Sequence, residues 1–192
     1  WSATALVLLY WFELGVDSVW ALVRALFAGR PPDIETGGLL LGPLAARQPT
    51  LVVPKTNLRI YLTTIVGLPI AVPVVVAAWL AAGAVLIGPL PEPSSDTLTS
   101  VLLAAVGIFL VTGTTTVRNY FYSGEYREHN SQTAFGGLFL RIFSVFLGGL
   151  FTVMLLTAAT EGPEAEFSTL DPAAVGVPLL LMIVLFKFTT DF

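Results

Sequence analysis

The apolar run from Trp1 to Ala28 holds two acids, Glu13 and Asp17, deep inside it. A run of this length can cross a bilayer, which takes about 20 residues at 1.5 Å each. A charged side chain at that depth costs at least about 2.5–3.5 kcal/mol on insertion scales. Such acids must therefore face other helices or a wet cavity, and the rest of the chain has to supply that cover. Composition agrees. Of 192 residues, 55% are apolar and 11% charged, against roughly 25% charged in a soluble domain. The expected fold is all-α, a polytopic transmembrane helix bundle forming a single domain over residues 1–192. Its first partner is the lipid bilayer.

Several functions are disfavoured by the residue inventory. A net charge of -4 argues against nucleic acid, which is held by basic patches. Without cysteine there is no disulfide, thiolate nucleophile or thiolate metal site. The single histidine, His129, lies in a polar loop and cannot by itself form a His-rich metal centre. No cofactor or metal is expected. No Gly-x-Ser-x-Gly, Walker loop or His-Glu-x-x-His is present. Glu13 and Asp17 share one helix, whereas an aspartyl dyad needs carboxyls converging from facing elements. The expectation is that the chain is not an enzyme.

Five apolar segments are expected to span, at about 3–28, 58–87, 98–122, 134–158 and 173–190. The first ends at Gly29-Arg-Pro-Pro, since proline lacks the amide and clashes with a preceding turn. Residues 30–56 form a long connection broken by Pro31, Pro32, Gly37, Gly38, Pro43, Pro49 and Pro54; its apolar run Leu39–Leu44 is too short to span. Pro69 and Pro73 kink the second span without forbidding it. Ala77 to Ala84 reads as a small-residue face that admits a neighbouring helix, and Gly136, Gly137, Gly148 and Gly149 offer the same on the fourth span. Arg118-Asn-Tyr-Phe-Tyr reads as a basic and aromatic belt at headgroup level. The sequence opens at Trp1, without methionine and within apolar residues, so the true N-terminus is expected upstream, with room there for a sixth span.

Charge sets an orientation. All nine basic residues fall on one side of this five-span arrangement. The second and fourth connections carry only acids: Glu92 and Asp96, then Glu161, Glu164, Glu166 and Asp171. By the positive-inside rule the basic side is cytoplasmic. The expected location is the cell membrane, multi-pass, with the C-terminus cytoplasmic.

On a wheel of about 100° per residue, Tyr10, Glu13, Asp17, Trp20 and Arg24 fall within roughly 80°. They form a stripe about 20 Å long. The intramembrane polar site is read as Tyr10, Glu13, Asp17, Arg24 and Arg141. In one reading the acids are pinned by Arg141 or Arg24 and by hydroxyls, which glues helices together. In the other they line an ion or proton path or a polar-ligand site. Arg141, placed about 10 Å in from the inner end of its span, can snorkel or turn to an acid, with Asp17 a plausible partner. Glu13 shows no obvious basic partner at its own depth. Thr114, Thr115 and Thr116 are expected to bond their own helix carbonyls. Lys187 and Asp191, four apart, can pair as an interfacial anchor. Arg118, Asn119, Glu125 and Arg127 form a cytoplasmic docking candidate; alternatively the string is a simple cap, with salt bridges among Arg127, Glu125 and Glu128.

Tyr10-Trp-Phe-Glu13-Leu-Gly, followed by Ala25-Leu-Phe-Ala-Gly-Arg30-Pro-Pro, resembles the opening of a membrane-protein family without an established activity, common in halophilic archaea and found in bacteria. Val117-Arg118-Asn-Tyr-Phe-Tyr-Ser-Gly-Glu125-Tyr-Arg127 resembles its loop after a central span. Val184-Leu-Phe-Lys187-Phe-Thr-Thr-Asp191 resembles its last helix. The resemblance implies a fold and topology but no reaction. Members often carry histidines before the Arg-Asn string and in the next span. This sequence has Thr112-Gly-Thr-Thr-Thr and Arg141-Ile-Phe-Ser144 there, so no histidine-based metal or haem site is implied. A halophilic origin would suit the acidic outer connections. The leading expectation is an accessory or interaction subunit joined to other membrane protein subunits. The alternative is a small transporter or ion or proton pathway using Glu13 and Asp17.

Overall fold

The computed structural model describes residues 2–31, 49–53, 58–160 and 172–190, with side chains to residue 155 in the fourth helix and for 175–185 in the last. The expected run Leu39–Leu44, the acidic loop 161–171 and the Lys187–Asp191 pairing lie outside the described side chains. The described chain is helical throughout apart from one small hairpin and the connections. Among the described residues four helices are long and apolar enough to cross a membrane: Ala3–Leu26, Leu62–Ile87, Ser95–Tyr122 and Ser131–Leu155. The last helix holds the shorter apolar stretch Val175–Leu185.

Local chemistry explains each start. Helix α1, Ala3–Leu26, begins under Ser2, whose Oγ accepts the Ala5 amide at 3.2 Å. An N-cap of this kind satisfies one of the amides a helix start leaves over. Strands β1, Thr50–Val52, and β2, Arg59–Tyr61, pair antiparallel in the register Thr50↔Tyr61, Leu51↔Ile60, Val52↔Arg59. The second span was expected from about residue 58. Instead Arg59-Ile60-Tyr61 is strand, and helix α2, Leu62–Ile87, begins where the Leu62 amide bonds the Pro49 carbonyl at 3.0 Å. Pro69 and Pro73 sit inside α2, and both face outward.

Helix α3, Ser95–Thr116, is capped by Ser94, which accepts the Thr97 amide at 3.2 Å. It runs on as a π-helical turn, Val117–Tyr122. A 3-10 turn, Glu125–Arg127, follows Gly124, whose φ of 82° suits glycine. Helix α4, Ser131–Thr160, starts three residues before the expected 134. The reason is a reciprocal cap: Asn130 Oδ1 accepts the Thr133 amide at 2.7 Å, and Thr133 Oγ1 accepts the Asn130 amide at 3.1 Å. Helix α5, Pro172–Thr190, opens on proline, whose missing amide costs nothing at a first helical position.

Two compact units share these helices. The first comprises Trp1–Gly15, Ala77–Phe109 and Leu140–Phe192. Its core joins Val7, Tyr10 and Leu14 of α1 to Leu86, to Val145 and Val153 of α4, and to Leu179 of α5. Gly149 has Val85 and Leu86 against it, and Gly176 has Ala3. The second comprises Val16–Val76 and Leu110–Phe139. It buries Ser18, Thr63, Thr64, Thr116 and Ser131 along with Ala21, Ala25, Tyr61, Tyr120 and Tyr126. Its packing is therefore more polar. In both units large apolar side chains point outward, such as Leu103 at 70% exposure in the first and Val111 at 68% in the second. That pattern suits a surface bathed in lipid, where outward leucine and phenylalanine are at no disadvantage.

The glycines of α4 do not all serve as expected. Gly149 is a close-contact position, whereas nothing lies within 4 Å of where a Cβ would stand on Gly136 or Gly137.

Candidate functional site

Tyr10 and Glu13 are three apart on α1 and so share a face. Arg141 of α4 comes to that face in the first unit. Its Nη2 stands 3.6 Å from Glu13 Oε1, with both side chains about one-fifth exposed. Its guanidinium carbon lies 5.9 Å from the centre of the Tyr10 ring, and Tyr10 is buried. An arginine over an aromatic face gains a further electrostatic attraction, larger where water is excluded. The result is a carboxylate and a guanidinium held together beside a tyrosine, with no net charge between them.

The expectation that Glu13 lacks a basic partner does not hold. A helix that starts at 134 puts Arg141 only about 10 Å in from its inner end. The reciprocal cap starts α4 at Ser131, which sets Arg141 about 15 Å along the helix. An arginine side chain spans the remaining step to Glu13. Asp17 and Arg24 lie further along α1, both half-buried and both in the second unit.

A second device joins α1 to α2 in the first unit. The Trp11 and Trp79 rings stack at 4.2 Å between centroids and 4° between planes. Each indole donates to the other residue's backbone: Trp11 Nε1 to the Trp79 carbonyl at 3.0 Å, and Trp79 Nε1 to the Trp11 carbonyl at 2.8 Å. The sequence reason is a Trp-x-x-x-Gly spacing present twice, Trp11–Gly15 and Trp79–Gly83. The side chain four residues on ordinarily shields a helical carbonyl. Glycine at that place opens the carbonyl to the neighbouring indole and makes room for its ring. A Cβ on Gly15 would meet Trp79 at 3.0 Å, and one on Gly83 would collide with the Trp11 indole. The Ala77–Ala84 face was expected to admit a neighbouring backbone; here its glycine receives a ring. The repeated spacing was visible in the sequence and is the signal that could have found this pair. In the second unit the Trp20 ring also lies against a glycine, Gly113, but Arg24 stands four residues after Trp20, so the spacing is not repeated there.

The docking candidate also resolves into two kinds of residue. Arg118, Asn119, Glu125 and Arg127 are exposed, but Tyr120 and Tyr126 between them are buried. At the end of α1 the Ala28 amide bonds Ala25 rather than Arg24, which leaves the Arg24 carbonyl without its helical donor. The Tyr120 hydroxyl takes that place at 2.8 Å. The Gly29 amide then donates to the Tyr126 carbonyl at 2.7 Å, the Arg30 amide to the His129 carbonyl at 3.0 Å, and the Tyr61 hydroxyl to the Gly29 carbonyl at 3.0 Å. The aromatic string is thus only partly a headgroup belt: Tyr122 is 86% exposed, while Tyr120 closes the helix end. The π turn matters here, because its Ser123 amide reaches back to Arg118 and rotates the ring sequence by a residue. Removing the hydroxyl with Tyr120→Phe orphans a partly buried carbonyl, which costs about 1 kcal/mol. The expected result is a lower unfolding midpoint in a detergent-denaturant titration, with helicity at rest unchanged.

The expected salt bridges of Arg127 with Glu125 and Glu128 are replaced. Arg127 Nε donates to the Tyr126 hydroxyl at 3.2 Å, and that bond holds the guanidinium above its usual pKa. Glu125 instead faces His129 at 3.9 Å. Thr114 and Thr115 donate to Leu110 and Val111 at 2.7 and 2.9 Å, which keeps those hydroxyls within their own helix. Among the described residues no three His, Asp or Glu side chains gather to hold a metal ion.

Residues 1–192 match the model of a family of unknown function, DUF6498. The chain belongs to that family. No curated protein and no solved structure matches it. Within this DUF6498 chain, the groups brought together are Tyr10, Glu13 and Arg141 in one unit and the tyrosine-closed end of α1 in the other.

Proposed function

We propose that this DUF6498 chain is a non-catalytic interaction subunit of a larger membrane assembly. We place it in the cell membrane with its basic connections and C-terminus in the cytoplasm, and read its acidic connections as suited to a saline exterior, in keeping with a halophilic source. The observation that carries the reading is the Glu13–Arg141 pair. The deepest acid is neutralised by a cation from α4, so its role is to join helices. The paired tryptophans do the same between α1 and α2. Gly136 and Gly137, open on α4, and the outward apolar faces leave surface for neighbouring subunits.

Native mass spectrometry of the chain extracted from its own membrane tests this. The expected species is a complex of fixed stoichiometry with other membrane proteins. A chain recovered alone or only with itself would end the proposal. The transport reading makes a different prediction. Glu13→Gln would abolish an ion or proton flux in liposomes while leaving the protein as stable as before. The subunit reading expects no flux from the parent chain and a loss of stability in the variant.

A further inference from the structure

The second unit concentrates the chain's positive charge. Its residues carry seven of the nine Lys and Arg against five acids, a net of +2, while the whole chain is at -4. Hydrogen bonds described above fix where five arginines fall. Tyr120 holds the Arg24 carbonyl, and Arg118 lies two residues before Tyr120 on the π turn. The Arg30 amide bonds His129, and Arg127 lies against Tyr126, which itself bonds Gly29. Tyr61 bonds Gly29, and Arg59 stands two residues before it in β2. All five arginines are thereby drawn to the C-terminal end of α1. Arg30, Arg59, Arg118 and Arg127 are exposed, and no salt bridge joins any of these four to a carboxylate among the described residues.

Apolar and aromatic side chains are interleaved with this charge. Val52, 64% exposed, is the cross-strand partner of Arg59, and Leu51 beside it is 54% exposed. Tyr122, almost fully exposed, ends the turn that carries Arg118. A soluble anion needs only the arginines. Exposed valine, leucine and tyrosine beside them match the boundary where phosphate groups meet acyl chains. We propose that the surface around the end of α1, centred on Arg59 and Arg118, binds the phosphate of anionic phospholipid headgroups. Positive charge supplies the attraction, and Leu51, Val52 and Tyr122 supply the depth. This surface is independent of whatever subunit the chain accompanies.

The test uses the full chain, purified in detergent and delipidated, then titrated with phosphatidylglycerol or phosphatidylcholine and read by native mass spectrometry. Phosphatidylglycerol is expected to bind at least about fivefold more tightly, since each arginine near an anionic surface contributes about that factor. Arg59→Gln and Arg118→Gln should each weaken it about fivefold and leave phosphatidylcholine unchanged, while Arg→Lys at either place keeps most of the preference. Arg127→Gln, on another exposed turn, repeats the measurement should either variant fail to fold. Equal binding of the two lipids overturns the proposal, as does a preference that survives the Gln variants. Inorganic phosphate is the third arm. If phosphate alone competes the lipid away at equal concentration, the ligand is a soluble phosphate and the lipid assignment fails.

Discussion

Arg141→Leu, with Glu13 left in place, is expected to destabilise the protein by about 3 kcal/mol, the lower end of what breaking a buried pair costs. The loss comes less from the missing attraction than from the carboxyl left behind among apolar side chains, 21% exposed and facing Tyr10 and α4. Glu13→Leu alone leaves the opposite problem, a guanidinium without its carboxylate, and should cost a similar amount. The double variant Glu13→Leu with Arg141→Leu removes both charges. Replacing a buried pair by apolar residues is often neutral or stabilising, so it should recover most of the loss. The measurement is a double-mutant cycle from unfolding titrations in detergent micelles. A coupling energy near zero would show that the two side chains do not act as a pair. The cycle also bears on the transport reading, which needs Glu13 for flux rather than for stability.

Gly83→Leu is expected to have an effect of the same order, by a different route. A side chain there collides with the Trp11 indole. Trp11 must then leave its stack on Trp79, and both indole-to-carbonyl bonds go with it. Overpacking costs about 1–3 kcal/mol, and losing two partly buried hydrogen bonds adds about 1 kcal/mol each. Gly83→Ala, with one methyl, should be damaging too, because the indole lies closer to that site than any real Cβ contact. Stacked indoles couple their transitions, so near-ultraviolet circular dichroism reports the clamp directly. The expected result is a signal for the parent chain that disappears in Gly83→Leu and in Trp79→Phe. A Gly83→Leu chain that keeps the signal and its stability would mean the clamp is not formed in the membrane. Gly15→Leu should fail in the same way, since Trp79 lies against it at 3.0 Å.

These two sites differ in how far the sequence foretold them. Apolar length settled the class: runs around Ala3–Leu26, Leu62–Ile87, Ser95–Tyr122 and Ser131–Leu155 can only be helices in lipid, because no other open segment satisfies its own amides there. The same pattern named Glu13 as a residue needing cover. Helix starts were harder. Asn130 and Thr133 cap α4 through side chains whose pairing depends on a single turn's geometry, and the three residues this adds to the helix set Arg141 about 5 Å further along it than a start at 134 does. The Trp-x-x-x-Gly pairs were legible as spacing, but spacing does not say which glycine meets which ring.

What the sequence determined by itself was the solvent: residues this apolar, in stretches this long, belong in a bilayer. It also determined which side chains would be costly there. Tertiary structure alone decided how each cost is met. Arg141 meets Glu13, Trp79 meets Trp11, and Tyr120 meets the orphaned Arg24 carbonyl. Each contact joins residues far apart in sequence, and each depends on the rotation of one helix about its axis. Hydropathy and periodicity fix which face of a helix turns inward, but not which residue of another helix it will find there.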